Sequence, residues 1–257
     1  MFRTLRIAIL LFILTTVAVG AWRSHAQATD WKDSTHVTIY PIAADTSPTS
    51  RQIVAQLRLD DFSPIGEWLQ EEVQRNGRPV LRPVALNLAP PVEALPPPYP
   101  HGGSRLSVAW WSLQLRLWAW RHDGAPGPRP QVRLFVLYHD PALSPVLEHS
   151  LGLEKGKIGV IKVFASRNER QRNLVVIAHE LLHTLGATDK YDLATNQPVF
   201  PDGYAEPDHQ PRHPQRLAEI MAGRIPLSEN QAQIPDSLED TRIGPATARE
   251  IGLLTGG

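Results

Sequence analysis

The chain has 257 residues, of which 42% are hydrophobic and 20% charged, a composition typical of globular proteins rather than disordered ones. Lysine plus arginine and aspartate plus glutamate number 26 each, so no excess of positive charge indicates binding to nucleic acid. The chain contains no cysteine, which excludes disulfides, thiolate metal ligands and cysteine nucleophiles. Any metal site must therefore use His, Asp, Glu or Tyr.

The amino terminus has the pattern of a secretory signal. Two arginines lie in the first six residues, and an apolar run from Ile7 to Trp22 follows, interrupted only by two threonines. The run falls short of the roughly 20 residues that cross a bilayer comfortably, and Ala26-Gln27-Ala28 offers a cleavage site. Residues 1–28 are predicted to be a signal peptide. The alternative is an uncleaved anchor at residues 7–22, and in both cases residues 29–257 are exported, to the periplasm or the exterior.

The first elements after the signal are a strand and a helix. His36–Ile42 alternates apolar and polar residues and predicts a strand. Ser63 and Pro64 predict the start of a helix, with Ser63 as the N-cap and Pro64 in the first turn. Asn76-Gly77 is predicted to end it.

A second strand and a tryptophan-rich helix are predicted next. Val80–Leu88 reads as a strand that Pro83 assigns to a sheet edge, and the proline-rich Ala89–Gly103 predicts a surface loop. Leu106–Trp120 also permits strand alternation, but a helix is favoured by five residues at helical spacing, namely Leu106, Trp110, Leu113, Leu117 and Trp120. The tryptophans of this segment are expected in the core, although they could instead form a carbohydrate or lipid surface.

Two further strands lead to a buried helix. Gln131–His139 and Lys157–Phe164 are predicted strands, and Glu169–Leu185 is predicted as a helix that is apolar on almost every side. Three polar side chains interrupt this helix, at His179, Glu180 and His183. Burial of unpaired polar groups is costly, so these residues need a chemical reason to be there.

The spacing H-E-x-x-H supplies such a reason. Residues four apart share a helix face, so His179 and His183 can offer two imidazoles to one cation. Glu180 lies one step round and can reach a water on that cation without binding the metal itself. A metal with three protein ligands lowers the pKa of bound water toward about 7, and Glu180 can then act as general base. The alternative is an incidental histidine pair in a salt-linked network.

The residues after the second histidine extend the motif. Gly186 can turn the chain back after the helix, and Asp189 follows three residues later, where a third ligand would be useful. The stretch resembles the H-E-x-x-H-x-x-G-x-x-H motif of metzincin zinc peptidases with Asp in the last place, the variant of snapalysin-like enzymes. The resemblance implies that His179, His183 and Asp189 bind Zn²⁺ and that Glu180 is catalytic.

Metzincins also carry a methionine in a tight turn beneath the metal. Met221 is the one methionine beyond Met1, and small residues suited to a turn follow it. The resemblance implies that it forms this Met-turn, while an isolated methionine otherwise fills a gap in a core. The resemblance also implies a mixed sheet with an edge strand that holds substrate in extended form above the cleft. Lys157–Phe164 is the expected edge strand.

Other third ligands remain open at this point. His209 and His213 lie in a proline-rich stretch before Met221, and Asp192 and Asp202 are also close in sequence. Glu219 is a further candidate, because gluzincins take a third ligand from a downstream glutamate, but bracing of the turn is favoured for it.

Three further residues could assist the site without binding the metal. Tyr191 and Tyr204 could donate to a developing oxyanion, and Asp192 could orient a ligand histidine. Ile243–Leu254 predicts a short closing helix that begins near Pro245.

The sequence thus predicts a single α/β (α+β) domain with a metzincin-like mixed, twisted sheet, an active-site helix and an irregular carboxyl-terminal part. The expected function is hydrolysis of polypeptides by an exported, monomeric zinc peptidase that binds no nucleic acid and contacts a membrane only through an uncleaved amino terminus. One alternative is a secreted binding protein with a structural metal site. The other is a zinc amidase that acts on a non-peptide or cell-wall amide.

Overall fold

A computed structural model describes residues 31–147, 151–153 and 157–254, together with Thr15. Apart from Thr15, the predicted signal at residues 1–28 lies outside the described residues. Among the residues that the structure describes, no helix combines the length and the apolar character needed to cross a membrane.

A five-stranded sheet forms the centre of the molecule, with strands β1 Thr35–Ala43, β2 Val84–Leu88, β3 Val132–His139, β4 Leu151–Leu153 and β5 Ile158–Phe164. The strand order across the sheet is β2-β1-β3-β5-β4. Strands β2, β1, β3 and β5 are parallel, and β4 pairs with β5 in the antiparallel direction. The α/β (α+β) class predicted from the sequence is confirmed at this level.

Five α-helices accompany the sheet in the described ranges. They are α1 Pro48–Gln56, α2 Ser63–Arg75, α3 Arg105–Arg121, α4 Arg170–Thr184 and α5 Pro245–Glu250. The part of the chain after α4 is irregular and adds four two-residue strands, β6 Ala218–Glu219, β7 Ile225–Pro226, β8 Ala232–Gln233 and β9 Thr241–Arg242.

Helices cover both faces of the sheet. Alternate residues of β1 belong to two different apolar clusters: Val37 and Ile39 pack in the cluster that contains α1, α2 and α4, and Tyr40 and Ile42 pack in the cluster that contains α3. In the alternation of His36–Ile42, Tyr40 falls on the face opposite Val37 and Ile39, which was predicted to be polar, but its side chain is only 1% exposed because α3 covers that face. The core therefore has two layers, one on each side of the sheet.

Most predicted elements lie where the sequence places them, with three local differences. Helix α1 was not predicted, although Ser47 caps it by accepting a hydrogen bond from the Thr49 amide, and Pro48 opens it. Ser63 was predicted as the N-cap of α2, but it is the first helical residue, because a 3-10 turn at Leu59–Phe62 precedes it. The last helix, α5, is shorter than the predicted Ile243–Leu254.

The predicted edge strand is wrong. Lys157–Phe164 was expected at the sheet edge, but the corresponding strand β5 lies between β3 and β4. The three-residue strand β4 occupies the edge instead, and it is too short to show an alternation in sequence. Val80–Leu88 is correctly placed at the opposite edge as β2, although its strand begins only after Pro83.

Helix α3 is present as predicted, but it turns the unexpected side toward the core. Trp111, Leu115 and Ala119 are the buried residues that pack toward the sheet. The five residues that predicted the helix, Leu106, Trp110, Leu113, Leu117 and Trp120, are all exposed. Both sides of α3 are apolar, so spacing alone did not distinguish the packed side from the exposed one.

Asp123 connects the end of α3 to the sheet. Its carboxylate accepts hydrogen bonds from the Arg133 side chain of β3 and from the Tyr40 hydroxyl of β1. Burial raises the pKa of Asp123, but the hydrogen bonds from Arg133 and Tyr40 lower this pKa by more, so the net pKa lies below its ordinary value.

We expect Asp123→Asn to lower the free energy of unfolding by roughly 1–3 kcal/mol at neutral pH. A carboxyl with a depressed pKa stabilises the fold above its unfolded pKa, and this contribution disappears as the pH falls through the folded pKa. The difference between wild type and variant should therefore shrink in acid. Urea unfolding at pH values above and below about 4 measures it, with the exposed Asp208→Asn as control. A difference that stays constant would contradict the assigned charge.

Candidate metal centre

Helix α4 carries the central residues of the candidate site. It buries an apolar surface against the sheet, with Leu174, Ile177, Ala178 and Leu181 each at most 2% exposed. The helix ends at Thr184, and Gly186 adopts a φ of +106° that a residue with a side chain rarely adopts. The chain reverses there and returns Asp189 toward the histidines.

Three of the predicted residues converge. The Oδ1 atom of Asp189 lies 3.2 Å from Nε2 of His179 and 3.1 Å from Nε2 of His183. Two ligand atoms bound to one tetrahedral zinc at about 2.0–2.1 Å lie roughly 3.3 Å apart. The two separations from the Asp189 oxygen to the histidine nitrogens therefore fit a shared zinc ion.

Backbone carbonyls fix the orientation of both imidazoles. Nδ1 of His179 lies 2.9 Å from the Ile220 carbonyl oxygen, and Nδ1 of His183 lies 2.8 Å from that of Ala187. Because a carbonyl oxygen only accepts, each Nδ1 carries the hydrogen and donates it. In the neutral ring the lone pair is then on Nε2, which is the form that binds a metal.

The charges also suit a cation. Burial raises the pKa of the Asp189 carboxyl, but contact with the imidazoles of His179 and His183 lowers it more, so the net pKa lies well below its ordinary value and the group is a carboxylate. Burial lowers the pKa of His179, while Asp189 and the charge of Glu180 raise it, and the net direction is upward. The raised pKa of His179 reflects the negative charge of Asp189 and Glu180 beside it, and the same charge would stabilise a bound cation.

Glu180 lies beside the two histidines at the base of a cleft. One ligating atom from each of His179, Glu180 and His183 lies within 4.8 Å of the others. The Glu180 side chain is 5% exposed and lines a cleft of about 1090 Å³ together with both histidines and Asp189. Because Asp189 keeps 36% of its side chain exposed, the cleft leads directly to the convergence point.

A tight turn supports the site from below. The amides of Ala222 and Gly223 both donate to the Glu219 carbonyl oxygen at 3.0 Å, and Gly223 has a φ of +66°. Met221 within this turn is fully buried in the core. The carbonyl of Ile220, the residue before it, accepts the hydrogen bond from His179, so the turn orients one of the candidate ligands.

Glu219 braces this turn, as favoured from the sequence. Its Oε2 accepts from the Ala222 amide at 2.9 Å, and its Oε1 accepts from the Gly244 amide at 3.2 Å and the Thr247 hydroxyl at 2.6 Å. Both oxygens are thus engaged away from the histidines. Burial raises the pKa of Glu219, although these hydrogen bonds oppose the shift.

We expect Glu219→Gln to lower the free energy of unfolding by about 2 kcal/mol. Glutamine replaces one acceptor oxygen by an NH₂ group, which would face a buried N–H or O–H that now donates to the carboxylate. Thermal unfolding of wild type and variant measures the effect. The exposed Glu239→Gln is the matched control and should shift stability by less than about 0.5 kcal/mol. A loss no larger than that of the control would show that the turn does not depend on Glu219.

Asp189 is held by a network that the sequence did not indicate. The next residue, Lys190, donates from Nζ to both carboxylate oxygens of Glu250 at 2.8 Å, and Thr188 donates to the same carboxylate. The Lys190 amide also donates to the Met221 carbonyl at 3.0 Å. These bonds tie the segment that carries Asp189 to α5 and to the turn, across separations in sequence that no local pattern reveals.

The other proposed ligands lie elsewhere. Nδ1 of His209 contacts the Pro211 carbonyl, and Nε2 of His213 lies 2.9 Å from the Tyr204 hydroxyl. Asp192 accepts hydrogen bonds from Ala194 and Thr195, and not from a ligand histidine. None of these residues lines the cleft, nor does the exposed Asp202.

Of the two tyrosines proposed as oxyanion donors, only Tyr191 lines the cleft. Burial raises the pKa of Tyr191, and the charges of Asp189 and Glu180 raise it further. Its hydroxyl is therefore protonated at neutral pH and can donate a hydrogen bond. Tyr204 is bonded to His213 outside the cleft.

No protein-family model matches the sequence, and no curated protein matches it. Among solved structures, the crystal structure of wild-type OgpA from Akkermansia muciniphila is similar, with a TM-score of 0.38 and 14% sequence identity. The match covers 87% of this chain and 64% of that chain, so the described chain corresponds to less than two thirds of that protein. A similarity at this level supports no conclusion on fold or function.

Proposed function

We propose that the protein is an exported zinc endopeptidase of the metzincin type, similar to the snapalysin-like variant with Asp as third ligand. One observation carries the proposal: Nε2 of His179 and Nε2 of His183 meet Oδ1 of Asp189 at 3.2 and 3.1 Å at the base of an open cleft. His179, His183 and Asp189 would hold the ion.

Glu180 would act as general acid and base. When bound, zinc would supply Lewis acidity to the substrate carbonyl and lower the pKa of a bound water toward about 7. The Glu180 carboxylate takes a proton from the attacking water and passes it to the departing amine nitrogen. Its position beside both histidines, in the lining of the cleft, suits this role. The Tyr191 hydroxyl donates a hydrogen bond to the oxyanion that forms on the carbonyl oxygen.

The sheet edge beside the cleft offers a place for the substrate. Strand β4 is the outermost strand and runs antiparallel to β5, whose residues Lys162 and Phe164 line the cleft. An extended peptide that pairs with β4 would place its backbone along the cleft through main-chain hydrogen bonds. This arrangement supports the edge-strand mode of substrate binding that the metzincin resemblance implies, with β4 in place of Lys157–Phe164.

Metal removal tests the proposal. We expect the full-length chain to cleave an unfolded polypeptide, to lose this activity on dialysis against a chelator, and to recover it when zinc is restored. Activity that survives complete zinc removal would contradict a zinc peptidase. A zinc-loaded chain that cleaves a cell-wall amide but no polypeptide would favour the amidase alternative, and tight zinc binding without any cleavage would favour a structural site.

A further inference from the structure

Helix α3 presents a continuous apolar stripe to solvent, which we call the outer stripe. Its five residues follow one another at steps of four and three positions along the helix. Their exposed fractions are 82% for Leu106, 61% for Trp110, 54% for Leu113, 45% for Leu117 and 68% for Trp120. Scattered exposed apolar residues are common, but a contiguous stripe with two tryptophans marks a surface that binds a partner.

The outer stripe is not needed to hold α3 on the sheet. The opposite side of the helix already packs there through Trp111, Leu115 and Ala119, and the Trp111 indole donates to the Pro97 carbonyl at 2.9 Å. The helix thus has two apolar sides, and only one of them contributes to the core. The other is available to a partner.

The charge around the outer stripe is positive. Helix α3 contains three arginines, Arg105, Arg116 and Arg121, all exposed, and no acidic residue. The segments that flank it, residues 89–104 and 122–130, add Glu93, Asp123 and Arg129, and Asp123 is already paired with Arg133. The whole chain is neutral, so this helix is a local concentration of positive charge beside exposed tryptophan and leucine.

This charge argues against a second copy of the chain as the partner. Pairing two α3 helices along their outer stripes would bring six arginines together with no acidic residue from either helix to offset them. Like charges of this kind disfavour association. A suitable partner instead has an apolar interior, which the tryptophan and leucine side chains can enter, and anionic groups at its surface, which the arginines can contact.

We propose that the outer stripe of α3 binds the surface of an anionic phospholipid bilayer, with the helix lying in the plane of the headgroups. Helices that lie in the interface bury Trp and Leu at the boundary of headgroup and acyl chain, while arginines contact anionic lipid. Tryptophan is favoured at this depth because its ring is apolar and its indole N–H stays hydrated.

Membrane binding in this orientation is compatible with an accessible cleft. Helix α3 packs on one face of the sheet, and α4 with the candidate metal centre packs on the other. The bilayer would therefore contact the side of the molecule remote from the cleft. The inference does not depend on the peptidase proposal, since it uses no residue of the metal centre.

The absence of native cysteine allows a local test on the full-length chain. We would label Leu113→Cys with an environment-sensitive fluorophore and add vesicles of phosphatidylcholine and phosphatidylglycerol in equal parts at low salt. A blue shift with a severalfold rise in intensity is expected. Leu59→Cys is the matched control: Leu59 is 43% exposed, precedes α2 on the other face of the sheet, and should give no change. Because the readout is local, insertion of residues 7–22 does not mimic it.

A charge variant separates the electrostatic part. Arg105→Gln, Arg116→Gln and Arg121→Gln together, in the Leu113→Cys background, should weaken the response by roughly a hundredfold in lipid concentration. Circular dichroism verifies that this variant is folded. No response at position 113 with anionic vesicles, or an equal response with pure phosphatidylcholine, would overturn the proposal. A response that grows with protein concentration without lipid would also overturn it, in favour of self-association.

Discussion

We expect Glu180→Gln to lower kcat/KM for peptide hydrolysis by about 1,000-fold while zinc remains bound, because a positioned general base contributes roughly 10²–10⁴ in rate. Glutamine has nearly the size of glutamate, so the cleft keeps its shape. It cannot take a proton from water. Activity on an unfolded polypeptide, measured together with zinc per chain, tests both parts of this expectation.

Glu169→Gln is the matched control for this substitution. Glu169 also lines the cleft, but it lies at the start of α4 and pairs with Arg172 at 3.6 Å rather than with the histidines. Its replacement should change activity only slightly. Peptidase activity that persists in Glu180→Gln would show that Glu180 is not the general base. Loss of zinc from that variant would show that Glu180 is a metal ligand rather than the general base.

The second large effect is expected at Asp189. We expect Asp189→Ala to weaken zinc binding by more than the roughly 100-fold that loss of a residue hydrogen-bonded to a ligand costs, because it removes one of the three proposed ligands. The two histidine Nε2 atoms would remain, without the carboxylate oxygen that lies within 3.2 Å of both. Competition of each variant against a chelating dye measures the affinity.

Asp192→Ala is the control for charge and chain position. Its carboxylate lies three residues further on and accepts hydrogen bonds from Ala194 and Thr195, so its loss should leave zinc affinity near that of the wild type. His209→Ala and His213→Ala should likewise retain zinc. Normal affinity in Asp189→Ala combined with loss in either histidine variant would move the third ligand into the proline-rich stretch.

The part of the site that depends on local spacing could be predicted from the sequence. Helix geometry places His179 and His183 on one face, and Gly186 permits the turn that returns Asp189 to them; the structure shows these three side chains together. The same reasoning placed β1, β3, α2 and α4 within a few residues of their observed bounds. In each case a period or a turn residue carries the information.

Features that depend on distant contacts could not be predicted. The carbonyls of Ile220 and Ala187 orient the histidines, but a backbone carbonyl has no sequence signature. The edge position of β4 depends on which strands pair, and three residues are too few to show a pattern. The packed side of α3 depends on the sheet beneath it, since both of its sides are apolar.

The most direct test of the central claim is anomalous diffraction at the zinc edge from crystals of the zinc-loaded full-length chain. We predict a single strong peak about 2.0–2.1 Å from Nε2 of His179, Nε2 of His183 and a carboxylate oxygen of Asp189. A peak ligated by His209, His213 or Glu219 instead, or no peak at the base of the cleft in zinc-loaded crystals, would contradict the proposed metal centre.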